Sequence, residues 1–138
     1  MNELSADLLA AILEQSADAI VFADPAGIIR VWNRAATTVF GFSADEALGR
    51  SLDLIIPDKL RTAHWSGFRR AMETGLLRLD GRPTMTRATH KLGTRLYVEM
   101  TFALVRSSDG AVAGSVAVAR DATQRYEDER ARRRATPG

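Results

Sequence analysis

His64 is the side chain in this sequence with the clearest capacity for chemistry. It lies between Asp58 and Thr74, where apolar residues recur at helical spacing. A helix entered through Pro57 and closed by Gly75 would place the imidazole on its apolar face. There a neutral imidazole either ligates a metal or remains a core side chain that bonds a backbone carbonyl. The predicted apolar face consists of Leu60, His64, Gly67, Phe68, Ala71 and Met72.

Other sources of chemistry are few in these 138 residues, of which 46% are hydrophobic and none is cysteine. The absence of thiols excludes disulfides, zinc-thiolate sites, iron-sulfur clusters and a cysteine nucleophile. The second histidine, His90, lies beside a Lys-Leu-Gly turn, so we expect it to be exposed to solvent. No HxH or HxxxH spacing indicates a metal site. Without a GxSxG, a phosphate-binding glycine loop or a paired-carboxylate motif, the sequence predicts a binding domain and not an enzyme.

The charge pattern gives little reason to expect nucleic-acid binding. The chain carries 19 basic and 17 acidic side chains. The excess of basic residues lies after residue 121, in a segment that contains five basic and three acidic residues. Residues 1–121 are therefore neutral, with 14 of each sign. No apolar run approaches the roughly 20 residues of a membrane span, and the N-terminus lacks the order of a secretory signal. We expect a cytoplasmic protein with no membrane association.

Strand and helix patterns flank the His64 helix on both sides. Strands bounded by turn residues are predicted at 19–24, 27–32, 82–91, 95–106 and 111–121. Other helical patterns cover residues 4–15, 33–41 and 43–49 and resume at Thr123. Alternation in the fourth strand assigns one face to the core through Leu96, Val98, Met100, Phe102 and Leu104.

This order predicts an α+β fold, in which a five-stranded antiparallel sheet carries helices packed on one face. The single long helix would enclose a pocket suited to a flat ligand against that face. We divide the chain into an N-terminal amphipathic helix within residues 1–16, one domain over 17–122 and a charged helix or tail over 123–138.

Several short motifs are spread along the chain between Leu9 and Thr123. They are Trp32-Asn33, Phe40-Gly41, Gly49-Arg50, the segment KLGTRLYVEMTFALV and the exit Arg120-Asp121-Ala122-Thr123. Together they resemble the PAS sensory domain family, including its Asp-x-Thr exit into a C-terminal helix. The resemblance implies a PAS fold that senses a signal and dimerises.

The segment IIPDKLRTAHWSGFRRAMETG is similar to the long helix of oxygen-sensing heme PAS domains, those of oxygen-sensor kinases and of a cyclic-di-nucleotide phosphodiesterase. The resemblance implies heme b, with His64 as the proximal iron ligand and Gly67 leaving room for the macrocycle. Arg70 and Arg78 fall on positions that contact heme propionates. Further cofactor contacts are expected at Phe68, Leu79, Arg82, Met100 and Phe102.

The distal side of the expected heme site departs from that family. Where one class of heme sensor has a ligating methionine this chain has Arg82, and Thr84 stands where the family has an oxygen-binding arginine. A shift of two residues would bring Arg82 into the second role. Met100 is either a sixth iron ligand or core packing. The gas that the resemblance implies is O2, CO or NO.

Two other cofactor states stay open. A flavin could stack on Trp32 and Trp65, although the absence of cysteine excludes flavin-cysteinyl and thioester-linked photoreceptors. A heme-free module would have its pocket filled by Phe68, Met72, Met100 and Phe102 or would hold a small organic ligand. It would act through protein interaction in signal transduction or transcription regulation.

The terminal segments suggest partners. The apolar stripe of residues 4–13 either covers the open face of the sheet or pairs with its copy in a homodimer. Residues 123–135 have almost no apolar seam for a coiled coil. They would lead to an output domain or contact a partner protein.

Overall fold

The centre of the protein is a five-stranded antiparallel sheet with the strand order β2-β1-β5-β4-β3. The computed structural model describes residues 4–78 and 81–135. Strands β1 to β5 cover Ala19–Ala23, Ile29–Trp32, Thr84–Thr89, Arg95–Arg106 and Val112–Asp121. The last strand returns to pair with β1, so the N-terminal hairpin and the C-terminal meander form one sheet. The predicted α+β fold is confirmed.

Helices connect and flank the strands. Helices α1 to α5 cover Ala6–Gln15, Arg34–Phe40, Ala44–Ala47, Asp58–Thr74 and Thr123–Ala135, and a 3-10 turn covers Leu52–Leu54. The predicted bounds of α4 are confirmed, because it follows Pro57 and ends at Gly75, whose φ is 70°. Within the residues that the structure describes, no helix combines the length and apolar character needed to cross a membrane.

The inner face of the sheet forms the core. Strand β4 turns Leu96, Val98 and Met100 inward, as the alternation predicted, and all three are buried. Helices α2 and α3 cover the β1 side of this face, where Phe40 and Ala47 are fully buried. This packing removes apolar side chains from water and supplies most of the driving force for folding.

The opposite face of β4 is partly covered by α5. Tyr97 points away from the core but is only 8% exposed, because its ring stacks on Tyr126 with centroids 3.7 Å apart. Arg125 adds an ion pair with Glu99 at 2.9 Å. The sequence assigned Tyr97 to the non-core face, and α5 is the reason that this face is nevertheless buried here.

The Asn33 side chain joins α1 to the sheet. Its Nδ2 donates to the backbone oxygens of Leu13 at 2.9 Å and Asp18 at 3.0 Å. Its Oδ1 accepts from the backbone N–H groups of Ile20 at 2.9 Å and Ala36 at 3.0 Å. The Asn33 side chain thus caps the start of α2 and also holds three further segments together.

The two terminal helices adjoin the paired ends of two inner strands, β1 and β5. Ala19 at the start of β1 pairs with Ala119 near the end of β5. The adjoining residues, Asp18 and Arg120, form an ion pair at 2.9 Å. The end of α1 and the start of α5 therefore lie close together.

Candidate ligand-binding site

A cavity of about 700 Å³ lies between α4 and the inner face of the sheet. Of the site residues expected from the sequence, the structure places His64, Gly67, Phe68, Arg70, Arg78, Met100 and Phe102 along its wall. Arg82 is exposed and does not line the cavity. Leu79 lies outside the described residues. Arg70 and Arg78 are exposed, which places cationic groups where the cavity opens to solvent.

The Trp65 side chain fixes the first half of α4. Its Nε1 donates to the Asp53 carboxylate at 2.7 Å. Its ring lies directly on Gly27, whose φ is 81°, and an added Cβ at this glycine would overlap the ring. Arg61 also donates to the backbone oxygens of Ile56 and Asp53, both at 3.0 Å. These contacts set the side of α4 that faces the cavity.

Hydrogen bonds near both ends of α4 tie it to the sheet. Before the helix, the Ile55 oxygen accepts from the Thr89 N–H at the end of β3, at 2.9 Å. After it, the Gly75 oxygen accepts from Arg106 Nη2 at the end of β4, at 2.6 Å. The guanidinium also lies favourably against the negative end of the helix dipole. The helix is thereby held along the cavity from one end to the other.

His64 is half-buried and has unused hydrogen-bonding capacity. Its Nδ1 is buried and has no hydrogen-bond partner among the described residues. The ring packs edge-on against Trp65, at 4.7 Å between centroids, and lies 5.8 Å from Phe68. Burial lowers the pKa of His64 below its ordinary value of 6.5, against an opposing effect of the Asp53 carboxylate. At neutral pH the imidazole is therefore uncharged and can offer a lone pair to a metal.

Gly67 is not required by the fold itself. It lies inside α4, where glycine destabilises a helix by about 1 kcal/mol relative to alanine. Its φ is not in the left-handed region, and among the described residues no heavy atom beyond its chain neighbours and the nearby helix backbone lies within 4 Å of the position that a Cβ would occupy. The residue lines the cavity. What this glycine provides is free space beside the helix, one turn after His64.

The sheet side of the cavity is mostly apolar. Met100 and Phe102 line it from β4, and Met100 pairs with Thr84 of β3. Thr86 and Ser115 add two side-chain hydroxyls for which the described structure shows no hydrogen bond. We did not predict these two residues. The alternation of β3, in which Thr84, Thr86 and Ala88 face inward, could have identified Thr86.

The two tryptophans do not line the cavity. Trp32 is 4% exposed in the core, and its Nε1 donates to Thr37 Oγ1 at 3.1 Å and to the Phe42 oxygen at 3.0 Å. Trp65 is engaged with Gly27, as described above. The expected stacking of a flavin on these two rings therefore has no support in their positions.

His90 is half-buried, so the expectation that it is exposed was wrong. Its ring covers Gly41, and its Nδ1 accepts from the Leu92 N–H at 3.1 Å. The adjoining Lys91 pairs with Glu46 at 2.6 Å. His90 thus packs the β3–β4 turn onto the end of α2, away from the cavity wall.

Comparisons with known proteins identify the class to which this fold and cavity belong. The family model for the PAS fold matches residues 7–122. The chain is a member of the PAS family, whose domains are sensory modules in signalling.

Two solved structures have the same fold. The PAS domain of a Colwellia psychrerythraea protein superposes with a TM-score of 0.70 at 23% identity, covering 83% of this chain and 94% of that one. An RNA-binding light-oxygen-voltage receptor gives a TM-score of 0.69 at 21% identity, covering 94% of this chain and 38% of that one. At such identities the likeness concerns the fold alone.

Among curated proteins, the oxygen sensor protein DosP of Escherichia coli is similar to this chain. It is 28% identical over 120 residues, which cover 87% of this chain and 14% of DosP. The chain spans between 12% and 20% of the length of three curated relatives that it matches. The similarity therefore concerns one domain of larger proteins.

Proposed function

We propose that this PAS domain holds heme b in the cavity between α4 and the sheet and senses a diatomic gas there. The observation that carries the proposal is His64, a half-buried imidazole with an unpartnered buried nitrogen on the wall of a 700 Å³ cavity. The similarity to DosP, which is named as an oxygen sensor, supports the same reading.

The side chains around the cavity suit an iron porphyrin. His64 would ligate the iron as a neutral imidazole, which burial favours by lowering its pKa. Gly67 leaves the side of α4 open for the flat macrocycle. Arg70 and Arg78, at the exposed rim, would pair with the two propionate carboxylates.

When bound, heme would supply an iron able to bind a diatomic gas. The protein itself would exclude water from the cavity and change its conformation when the gas binds. Met100 and Phe102 present apolar surface on the sheet side of the cavity. Because both lie on β4, a ligand that displaces them acts on the strand whose other face holds α5. The effect on α5 is limited by the difference in ligand affinity between the two states.

An absorption spectrum tests the heme proposal. The protein is expressed with heme supplied, beside His64→Ala and the matched control His90→Ala, and folding is checked by circular dichroism. A Soret band in the wild type and in His90→Ala, lost in a folded His64→Ala, is the expected result. A wild type that shows no Soret band after titration with hemin would sink the proposal, and so would a His64→Ala protein that keeps an unchanged band.

The competing function is a heme-free PAS module. Phe68, Met72, Met100 and Phe102 line the cavity but leave about 700 Å³ between them, which favours a small organic ligand over a filled core. This function takes precedence if the preparation stays colourless with hemin and Tm rises with an apolar organic probe. A flavin would show itself by its own absorption and fluorescence.

We also propose that α1 pairs with a second copy of the chain. Its apolar stripe is 39% to 55% exposed, so the described chain does not cover it. The stripe consists of Leu4, Leu8, Leu9, Ile12 and Leu13. Sedimentation of the wild type, Ile12→Glu and the control Glu14→Gln tests this, with a dimer expected for all but Ile12→Glu. A monomeric wild type at tens of micromolar would contradict the pairing.

A further inference from the structure

We infer that Thr86, and not Arg82, is the hydrogen-bond donor that faces His64 across the cavity and selects the bound ligand. The inference rests on the proposed function, because it assigns a residue of the same cavity. It also departs from the expectation that an arginine supplies this contact.

Thr86 and His64 lie on different walls of the cavity, on β3 and α4 respectively. The Thr89–Ile55 hydrogen bond joins the end of β3 to the segment that leads into α4. From Ile55 the chain reaches the start of α4 at Asp58, and His64 lies six residues further, a rise of about 9 Å along the helix. Thr86 lies three residues back along β3, a distance of about 10 Å. Both side chains line the same cavity, His64 from α4 and Thr86 from the sheet.

The Thr86 side chain points into the cavity from the inner face of β3. In β3 the outward residues Met85 and Arg87 are exposed, whereas Thr86 is half-buried and Ala88 is buried. Thr86 lines the cavity, and no hydrogen bond within the described structure engages its hydroxyl. A hydroxyl in this state can donate to a ligand without losing an internal partner.

The other donors on the sheet side are poorly placed. Arg82 is exposed, does not line the cavity and precedes Thr86 by four residues, about 13 Å along an extended chain. Arg87 borders the cavity, but it belongs to the alternate residues of β3 whose side chains are exposed to solvent. The Ser115 hydroxyl is opposite Leu104, near the Gly75 end of the cavity and far from the His64 end.

The chemical consequence concerns the kind of ligand that the cavity prefers. A hydroxyl is a neutral donor, and its hydrogen bonds are roughly half as strong as those of a charged guanidinium. Donors on the distal side decide how strongly a heme pocket holds O2. Thr86 would hold O2 more weakly than an arginine would, so the cavity discriminates less against CO, which depends little on a donor.

The test uses heme-loaded protein and carbon monoxide as the probe. The C–O stretching frequency is measured by infrared spectroscopy for the wild type, Thr86→Val, Thr86→Ser and the controls Arg82→Ala and Ser115→Ala. Removing a donor weakens back-donation, so Thr86→Val is expected to shift the band to higher frequency. The O2 dissociation constant of this variant should rise about fivefold, the equivalent of one neutral hydrogen bond. The serine variant and both controls should match the wild type.

An unchanged frequency in a Thr86→Val protein with a normal Soret band would overturn this inference and leave the heme proposal intact. A shift in Arg82→Ala would also overturn it, because the arginine would then be the donor. A wild type with no Soret band defeats the heme proposal first and this inference with it, so the two failures are distinguishable. Circular dichroism of each variant confirms that the fold persists.

Discussion

Two polar side chains of similar size, Asn33 and His64, show opposite relations to their surroundings. Asn33 is 2% exposed and uses both ends of its amide in four hydrogen bonds with three other segments and its own helix. His64 keeps a buried nitrogen without a partner. Because an unpaired buried polar group destabilises a protein, the first belongs to the fold and the second calls for a partner that the described chain does not provide.

This contrast predicts that substitution of Asn33 causes the largest loss of stability. Asn33→Ala leaves the N–H of Ile20 and the oxygens of Leu13 and Asp18 without their partner, so we expect a loss of about 3 kcal/mol in the free energy of unfolding. Urea denaturation measures it, with the exposed neighbour substitution Arg34→Ala as control. If Asn33→Ala lowers the free energy of unfolding no more than the control does, the Asn33 hydrogen bonds do not hold the fold together.

Two glycines sharpen the contrast between fold and cavity. Gly27→Ala forces a left-handed φ on alanine and drives a Cβ into Trp65, so we expect a loss of about 2 kcal/mol or more. Gly67→Ala meets no atom and should raise the stability of the heme-free protein by about 1 kcal/mol. Urea denaturation of both variants checks the opposite signs.

The same Gly67→Ala variant should bind hemin less tightly than the wild type, measured by titration at the Soret band. Improved stability with unimpaired hemin binding would mean that the space beside α4 is not used by the macrocycle.

The pH dependence of stability tests His64 in the heme-free protein. Its pKa is lower in the folded state than the 6.5 of an ordinary histidine, so the unfolded chain binds a proton more readily. Above pH 6.5 the His64 imidazole is neutral in both the folded and the unfolded state, so it causes no loss of stability. As the pH falls below 6.5, the wild type should lose stability relative to His64→Leu, until the folded-state pKa is reached.

Chemical denaturation at about pH 7.5 and about pH 5.5, on either side of the ordinary histidine pKa, measures this difference. His90 is present in both proteins and cancels. A gap between wild type and variant that stays constant over the two values would show that His64 is not desolvated in the folded protein.

The smallest predicted effect lies on the outer face of β4. The Glu99–Arg125 pair is half-exposed, so Arg125→Gln should change the free energy of unfolding by no more than about 0.5 kcal/mol. The Tyr97–Tyr126 stack should contribute more, about 1 kcal/mol in a double-mutant cycle. A coupling energy near zero for the tyrosines would mean that α5 does not hold β4.

Local patterns predicted the elements well. The proline before α4 and the glycine after it gave its bounds, and strict alternation gave the core side of β4. The apolar spacing of α4 also brought His64, Gly67 and Phe68 to one cavity wall. These features depend on residues a few positions apart, which a single sequence displays directly.

The misses are contacts between distant segments. The ring of Trp65 on Gly27 and the amide of Asn33 on Leu13 depend on how the chain returns to itself. The same holds for Thr86, whose part in the cavity follows from the register of β3 with β4. A single sequence carries the alternation of β3 but not the partner across the cavity.

The ion pair between Asp18 and Arg120 has a mechanical consequence. Since α1 precedes β1 and α5 follows β5 at the paired ends of these two strands, a small change in the twist between β1 and β5 changes the angle between the two helices. The 13 residues of α5 make a lever arm of about 20 Å. A rotation of about 10° at the start of α5 would move its far end by about 3 Å. A displacement too small to reorganise the sheet would therefore still move the end of the helix.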